Sequence, residues 1–128
     1  AFLPVASHGV SCKSFHENAY NNLGNTYHNL SMYTEAIEAF KQAIKIKPDN
    51  EKTHYNLGFV YLKSGMDRDA IDSFKLAIRI KPNLAEAHHG LGIAYYIIND
   101  RGSALEEYKI LKDLDPERAN RLFNLIYK

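Results

Sequence analysis

Apolar residues recur along this chain at helical spacing, and the recurrence itself repeats. Tyr20, Leu23, Gly24 and Tyr27 stand at i, i+3, i+4 and i+7, and Ala36, Ile37, Phe40, Ala43 and Ile44 resume that spacing after a short interruption. This is the period of an amphipathic helix, not the alternation of a strand. A shift of 34 residues brings whole columns into register. One holds Leu23, Leu57, Leu91 and Leu125, the next Gly24, Gly58 and Gly92, and another Tyr27, Tyr61 and Tyr95. Later come Ala36, Ala70 and Ala104, then Phe40, Phe74 and Tyr108, then Pro48, Pro82 and Pro116. Each unit predicts two helices of about 12–14 residues.

The breaks carry their own signals. Gly65 readily takes the left-handed backbone that ends a helix, Asn99 in the same place tolerates it, and Ser31 does so less well. Proline closes the second helix of each unit and suits the first turn of the next. Glycine inside a helix costs roughly 1 kcal/mol relative to alanine, so its recurrence points to a steric need. The Gly24 and Ala36 columns let the two helices of a unit approach. The Tyr27 and Phe40 columns fill the space between neighbouring units.

The run Tyr20-x2-Leu23-Gly24-x2-Tyr27, then Ala36-x3-Phe40-x2-Ala43, then Pro48 resembles the tetratricopeptide repeat. The match recurs in three full units, 17–50, 51–84 and 85–118, with a capping or truncated helix at 119–128. The resemblance implies an all-α fold, a right-handed superhelical solenoid of antiparallel helix pairs. It also implies that the first helix of each pair lines a concave groove that binds a protein or peptide partner, without catalysis. Residues 1–16 carry none of the column residues and are expected to form an irregular, non-repeat segment. That segment and the C-terminal helix are the two places where self-association is expected.

If Tyr20, Leu23 and Tyr27 face the core, then by the geometry of the family Asn18, Asn21, Asn22, Asn25 and Asn29 adjoin the groove. The corresponding stripe of the second unit includes Tyr55, Asn56, Phe59, Leu62 and Lys63. That of the third includes Glu86, His89, Gly90, Ile93, Tyr96 and Ile97, and the last helix adds Asn120, Phe123, Asn124 and Tyr127. The expected peptide site is therefore Asn21, Asn22, Asn25, Tyr55, Asn56, Phe59, Lys63, His89, Ile93, Tyr96 and Ile97. Asparagine is a mediocre helix former, so five on one helix call for a reason. A carboxamide both donates and accepts, and so pairs with the backbone of an extended peptide whatever its side chains. The other units are apolar along this stripe, which fits a contact surface.

One subtype of the family grips the C-terminal carboxylate of heat-shock chaperones with lysines, asparagines and an arginine. Asn25 and Asn56 match that pattern, but Asn21 stands for its first lysine, and Glu86 and Gly90 for its distal cations. A carboxylate would meet Glu86 where it needs a cation.

Composition changes this picture little. Lys and Arg number 16 against 15 Asp and Glu, which gives no basic excess for nucleic acid. No apolar run approaches the roughly 18 residues of a membrane span. Cys12 is the only cysteine, so no internal disulfide is possible, and a cytoplasmic setting is expected. The first residue is Ala1, so processing, a longer parent chain or an added remnant is expected.

The six histidines do not converge. His54 and His88 share the Tyr20 column and are expected to be structural, while adjacent His88 and His89 diverge by about 100° on a helix. Cys12 with His8 or His16 lacks an element to hold it as a nucleophile. No cofactor, metal or catalytic constellation is expected. Glu35, Glu38, Lys41, Arg68, Asp72 and Lys75 are read as a solvated, charge-paired outer face. An alternative to a stand-alone scaffold is the substrate-recruiting arm of a larger enzyme, such as a glycosyltransferase.

Overall fold

The computed structural model describes residues 9–128, with side chains from Cys12 onward. Seven helices follow one another: α1 (Gly9–Asn29), α2 (Tyr33–Ile46), α3 (Glu51–Lys63), α4 (Asp67–Ile80), α5 (Ala85–Ile97), α6 (Arg101–Leu114) and α7 (Pro116–Ile126). Each packs on its neighbours in sequence, and first helices also touch across units, α1 on α3, α3 on α5 and α5 on α7. The result is an all-α solenoid of helix pairs.

The turn inside each unit is built the same way. Ser31, Gly65 and Asn99 take φ of 59°, 81° and 68°, the left-handed conformation expected at those breaks. The amides of Met32, Met66 and Asp100 then reach back to the carbonyls of Tyr27, Tyr61 and Tyr95, each at 2.8 Å. These are Schellman closures, which satisfy carbonyls that the helix end leaves free. The link between units is set by proline. Lys47, Lys81 and Asp115, each before a proline, have extended backbone with ψ near 90° (93°, 92° and 89°), because the proline ring excludes the helical region.

Pro48 and Pro82 lie in the linkers, whereas Pro116 is the first residue of α7. Asp115 replaces the lysine of the earlier linkers, and its side chain accepts from the Arg118 amide at 3.1 Å. An N-cap aspartate followed by proline starts a helix at once. In the earlier links the proline carbonyl stays free, and a histidine from the next helix takes it: His54 Nε2 to Pro48 O and His88 Nε2 to Pro82 O, both at 2.7 Å. Leu122 fills that column in α7, fully buried.

The core follows the columns. Ala36, Phe40, Ala70, Phe74, Ala77, Ala87 and Ala94 are all at 0% exposure. A Cβ on Gly58 would fall 2.9 Å from the Phe74 ring, and one on Gly90 would fall 2.6 Å from it. Phe74 is therefore wedged between its own unit and the next. Phe40 meets Gly24 in the same way, where a Cβ would lie 2.6 Å from the ring. The aromatic column thus packs within units as well as between them. Burying such a ring is worth roughly 1.5–3 kcal/mol, and no space is left for a methyl group.

Two expectations are corrected. Helix α1 begins at Gly9 and runs 21 residues, so residues 9–16 are helical, not irregular. Residues 1–8 lie outside the described part of the chain. Leu23, expected in the core, is 41% exposed, while Leu57 and Leu91 of its column are 5% and 4% exposed. α3 and α5 each pack on the second helix of the preceding unit, and among the described residues no helix precedes α1.

Candidate functional site

The first helices α1, α3, α5 and α7 present a continuous row of large side chains. Tyr55 and Phe59, one turn apart on α3, stack with centroids 6.3 Å apart and planes 16° from parallel. His28 of α1 meets Phe59 edge-on at 5.3 Å, and Lys63 places its ammonium 5.3 Å from the Phe59 centroid. Phe59 is thus held by an imidazole and a cation, an arrangement that fits the ring quadrupole. The row continues with Ile93, then Tyr96 at 39% and Ile97 at 47% exposure. On α7 it ends with Phe123 and Tyr127, exposed and 4.7 Å apart.

The asparagine end is less open than the sequence implies. Asn22, Asn25 and Asn29 are exposed. Asn21 is not free: its amide donates to Glu17 at 2.8 Å, and its oxygen accepts from Thr53 at 2.9 Å. Glu17, 3% exposed, also accepts from Asn50 at 2.5 Å. Asn50 in turn caps α3 by accepting from the Lys52 amide at 3.0 Å. Glu17, Asn21, Asn50 and Thr53 therefore stitch the first unit to the second. Asn56 is half-buried. Gly90, expected on the groove stripe, is buried beneath Phe74 because it has no side chain to hold the ring away.

Charge enters the wall from α5 and α7. Burial, then the nearby carboxylate of Glu86, raises the Tyr55 hydroxyl above its usual range, against an opposing pull from Arg118. Burial, then Arg121 and Arg118, lowers His89 below the ordinary histidine value, with Asp115 acting against them. His89 is thus a neutral, half-buried ring at neutral pH beside two guanidinium groups. Arg118 is itself paired with Asp115 at 2.5 Å.

Sequence reasoning placed Tyr55, Phe59, Lys63, His89, Ile93, Tyr96 and Ile97 on adjoining first helices, and they lie on α3 and α5. It missed His28, Arg118 and Arg121. Position was the available signal for His28, one turn before the break and in the Tyr96 column. On the outer face the expected pairing fails: Glu38 accepts from Gln42 at 3.2 Å rather than pairing with Lys41. The ion pairs of the described residues lie instead at His88–Glu107, Lys109–Glu106, Arg118–Asp115 and Arg121–Glu117. Among the described residues no cluster of three or more His, Cys, Asp or Glu is placed to hold a metal ion, and no helix is long and apolar enough to cross a membrane.

Two comparisons identify the architecture. A family profile described as TPR repeat matches residues 32–65, and one described as tetratricopeptide repeat matches residues 51–84. No curated protein matches the chain by sequence. Among solved structures, the first TPR of Spaghetti (RPAP3) bound to the HSP90 peptide SRMEEVD aligns at 21% identity and TM-score 0.84, over 89% of this chain and 92% of that one. The Arabidopsis OM64 TPR domain aligns at 16% identity and TM-score 0.85, over 90% and 97%. The protein MamA aligns at 24% identity and TM-score 0.82, over 94% of this chain and 72% of that one. With its 34-residue columns, its repeated turns and these matches, the chain carries tetratricopeptide repeats over residues 32–84 and has the fold of a tetratricopeptide-repeat array.

Proposed function

We propose that this chain is a protein-interaction scaffold that holds a segment of a partner along the wall of its first helices and catalyses no reaction of its own. The observation that carries this reading is the exposed aromatic and aliphatic row of Tyr96, Ile97, Phe123 and Tyr127, with the half-buried Phe59 beside it. A row of that kind on a folded protein is characteristic of contact surfaces. Four first helices spaced roughly 8–10 Å apart make a wall of about 25–30 Å. An extended peptide advances about 3.3 Å per residue, so about eight or nine residues fit. Asn22, Asn25 and Asn56 serve the peptide backbone, while the apolar end selects aromatic or aliphatic side chains. The proposed units are 17–50, 51–84 and 85–118, with 119–128 as the closing helix.

The Spaghetti domain is bound to an HSP90 peptide, and the TPR2B domain of yeast Sti1 is in complex with pHsp70. Here Glu86 and the buried Gly90 stand where a terminal carboxylate would need cations, and Asn21 is engaged by Glu17 and Thr53. The favoured ligand is therefore an internal segment with apolar or aromatic anchors. The same groove would serve a substrate-recruiting arm of a larger enzyme, and the sequence of the whole gene separates that case from a stand-alone scaffold.

The test is affinity capture of a partner followed by calorimetric titration of its binding segment. Asn56→Ala is expected to weaken binding by about 1 kcal/mol, and Tyr96→Ala by about 2 kcal/mol or more. Lys41→Ala, on the second helix α2, is the control. Equal loss in the control would show that the groove is the wrong surface.

A further inference from the structure

The groove wall has a period as well as a composition. Phe59, Ile93 and Tyr127 share one 34-residue column, the first on α3, the second on α5 and the third at the end of α7. Tyr55, His89 and Phe123 form a second such row one turn earlier. Successive first helices pack roughly 8–10 Å apart, so a segment lying across them meets an apolar or flat side chain at that interval. A strand returns the same face every second residue, after about 6.6–6.8 Å, and falls out of step at the next helix. Two turns of an α-helix advance about 10.8 Å, beyond the spacing. A polyproline II helix returns the same face every third residue, after about 9.3 Å, and stays in step across all three helices.

The polar groups fit the same conformation. The backbone of a polyproline II segment has carbonyls without internal partners and, at proline, no N–H, so it needs donors. Carboxamides supply them, and Asn22 and Asn25 are exposed, with Asn56 half-buried. Charge is one-sided near Phe59. Lys63 places its ammonium 5.3 Å from that ring and makes no ion pair among the described residues. His28 lies beside it, and the last two turns of α1 and α3 contain no carboxylate. We propose that the groove selects a proline-rich segment in the polyproline II conformation, with a carboxylate beside the residue that meets Phe59. Residues at i, i+3 and i+6 of that segment contact Phe59, Ile93 and Tyr127. Proline suits these positions because its ring packs on aromatic faces and the segment is ordered before it binds. Lys63 moves from the Phe59 ring to the carboxylate. This inference rests on the groove reading above and names the class of segment the groove takes.

The test is a nuclear magnetic resonance titration of the full 128-residue chain with three synthetic peptides of equal length, blocked at both ends. One has seven prolines between two glutamates, one is all proline, and one has alternating threonine and leucine between two glutamates. The first is expected to shift the amides of Phe59, Ile93 and Tyr127. It should bind at least about fivefold more tightly than the threonine–leucine peptide and about threefold more tightly than the all-proline one. Lys63→Ala is expected to bring the two proline peptides within about twofold of each other. Phe59→Ala, and independently Tyr127→Ala at an exposed position, are each expected to weaken both by at least about fivefold. Circular dichroism confirms that each variant is folded. A threonine–leucine peptide that binds the same amides as tightly as the proline peptides would overturn this inference and leave the groove reading standing. So would failure of both proline peptides to bind. Shifts confined to α2, α4 and α6 with every peptide would overturn the inference and the groove reading together.

Discussion

His88 sits between two acceptors, with Nδ1 2.7 Å from a Glu107 carboxylate oxygen and Nε2 2.7 Å from the Pro82 carbonyl. Both ring nitrogens donate only when the imidazole is protonated. Burial opposes that charge, but the bonds to Glu107 and Pro82 and the carboxylate charge outweigh it, so the His88 pKa is raised. A raised histidine pKa contributes stability that is complete below the unfolded value of about 6.5. That contribution disappears as pH rises through the folded value. Thermal unfolding is therefore expected to show a stability loss on the alkaline side of about pH 6.5. Glu107→Gln is expected to lower stability by about 1–2 kcal/mol on the acid side and to flatten the pH profile. An unchanged profile in that variant would remove the pair as its cause.

His54 provides the comparison. It occupies the same column and makes the same bond to a proline carbonyl, but Ser73 stands where Glu107 does, and the buried His54 Nδ1 has no partner. His54→Leu, the residue that α7 carries in this column, is expected to change stability by less than His88→Leu does. Paired thermal melts near pH 6 and pH 8 decide it, and the His88 variant should lose the pH dependence that the Glu107 contact confers.

Gly90→Ala places a methyl group 2.6 Å from a ring that is fully buried. The expected cost is about 1–3 kcal/mol of overpacking. Adding Phe74→Leu to Gly90→Ala should cost less than the sum of the separate changes, because the smaller side chain makes room. Additive losses in denaturant titration would show that ring and glycine do not share the space.

Ser31 holds a left-handed backbone with φ of 59°, at a position where Gly65 does so without strain in the next unit. Left-handed backbone costs a side-chain-bearing residue roughly 1–2 kcal/mol, and glycine's extra freedom when unfolded returns part of this. Ser31→Gly is expected to stabilise the fold by about 0.5 kcal/mol. The same change at Asn99 should gain less, because asparagine tolerates this conformation better. Melting temperatures of the two variants make the comparison.

Glu17→Ala removes the single carboxylate oxygen that accepts from both the Asn21 and the Asn50 amides. Loss of about 1–3 kcal/mol is expected for the unsatisfied buried group. The loss should be localised at the joint of α1 and α3, where amide exchange of α3's first turn reports it.

The repeat was legible in the sequence because its causes are local. A glycine opposite a phenylalanine, a left-handed turn residue and a proline recur at fixed offsets, and each has the same consequence wherever it falls. The start of α1 was not legible, since residues before Glu17 share no column and a helix without repeat contacts leaves no periodic trace. The early start of α7 turns on one exchange, Asp115 for lysine before Pro116, which reads as a cap only against the earlier linkers. Within the site, Phe59 and Tyr96 were found by periodicity. The engagement of Asn21 was hidden because it depends on Glu17 and Thr53, and Thr53 lies on the neighbouring first helix. Leu23 shows the limit of column logic: identical residues acquire different environments when their helices have different neighbours.

The Phe74 wedge divides the molecule mechanically. Its ring is gripped by Gly58 on one side and Gly90 on the other, whereas Phe40 meets Gly24 in its own unit and finds Asn56, not glycine, in the corresponding place across the joint. The middle and third units are interlocked by this ring, whereas the first joins them through the shared apolar core around Phe40 and Leu57 and the polar stitches around Glu17. Pulled from its ends, the chain should peel from α1 and α2 before the interlocked block yields in one step.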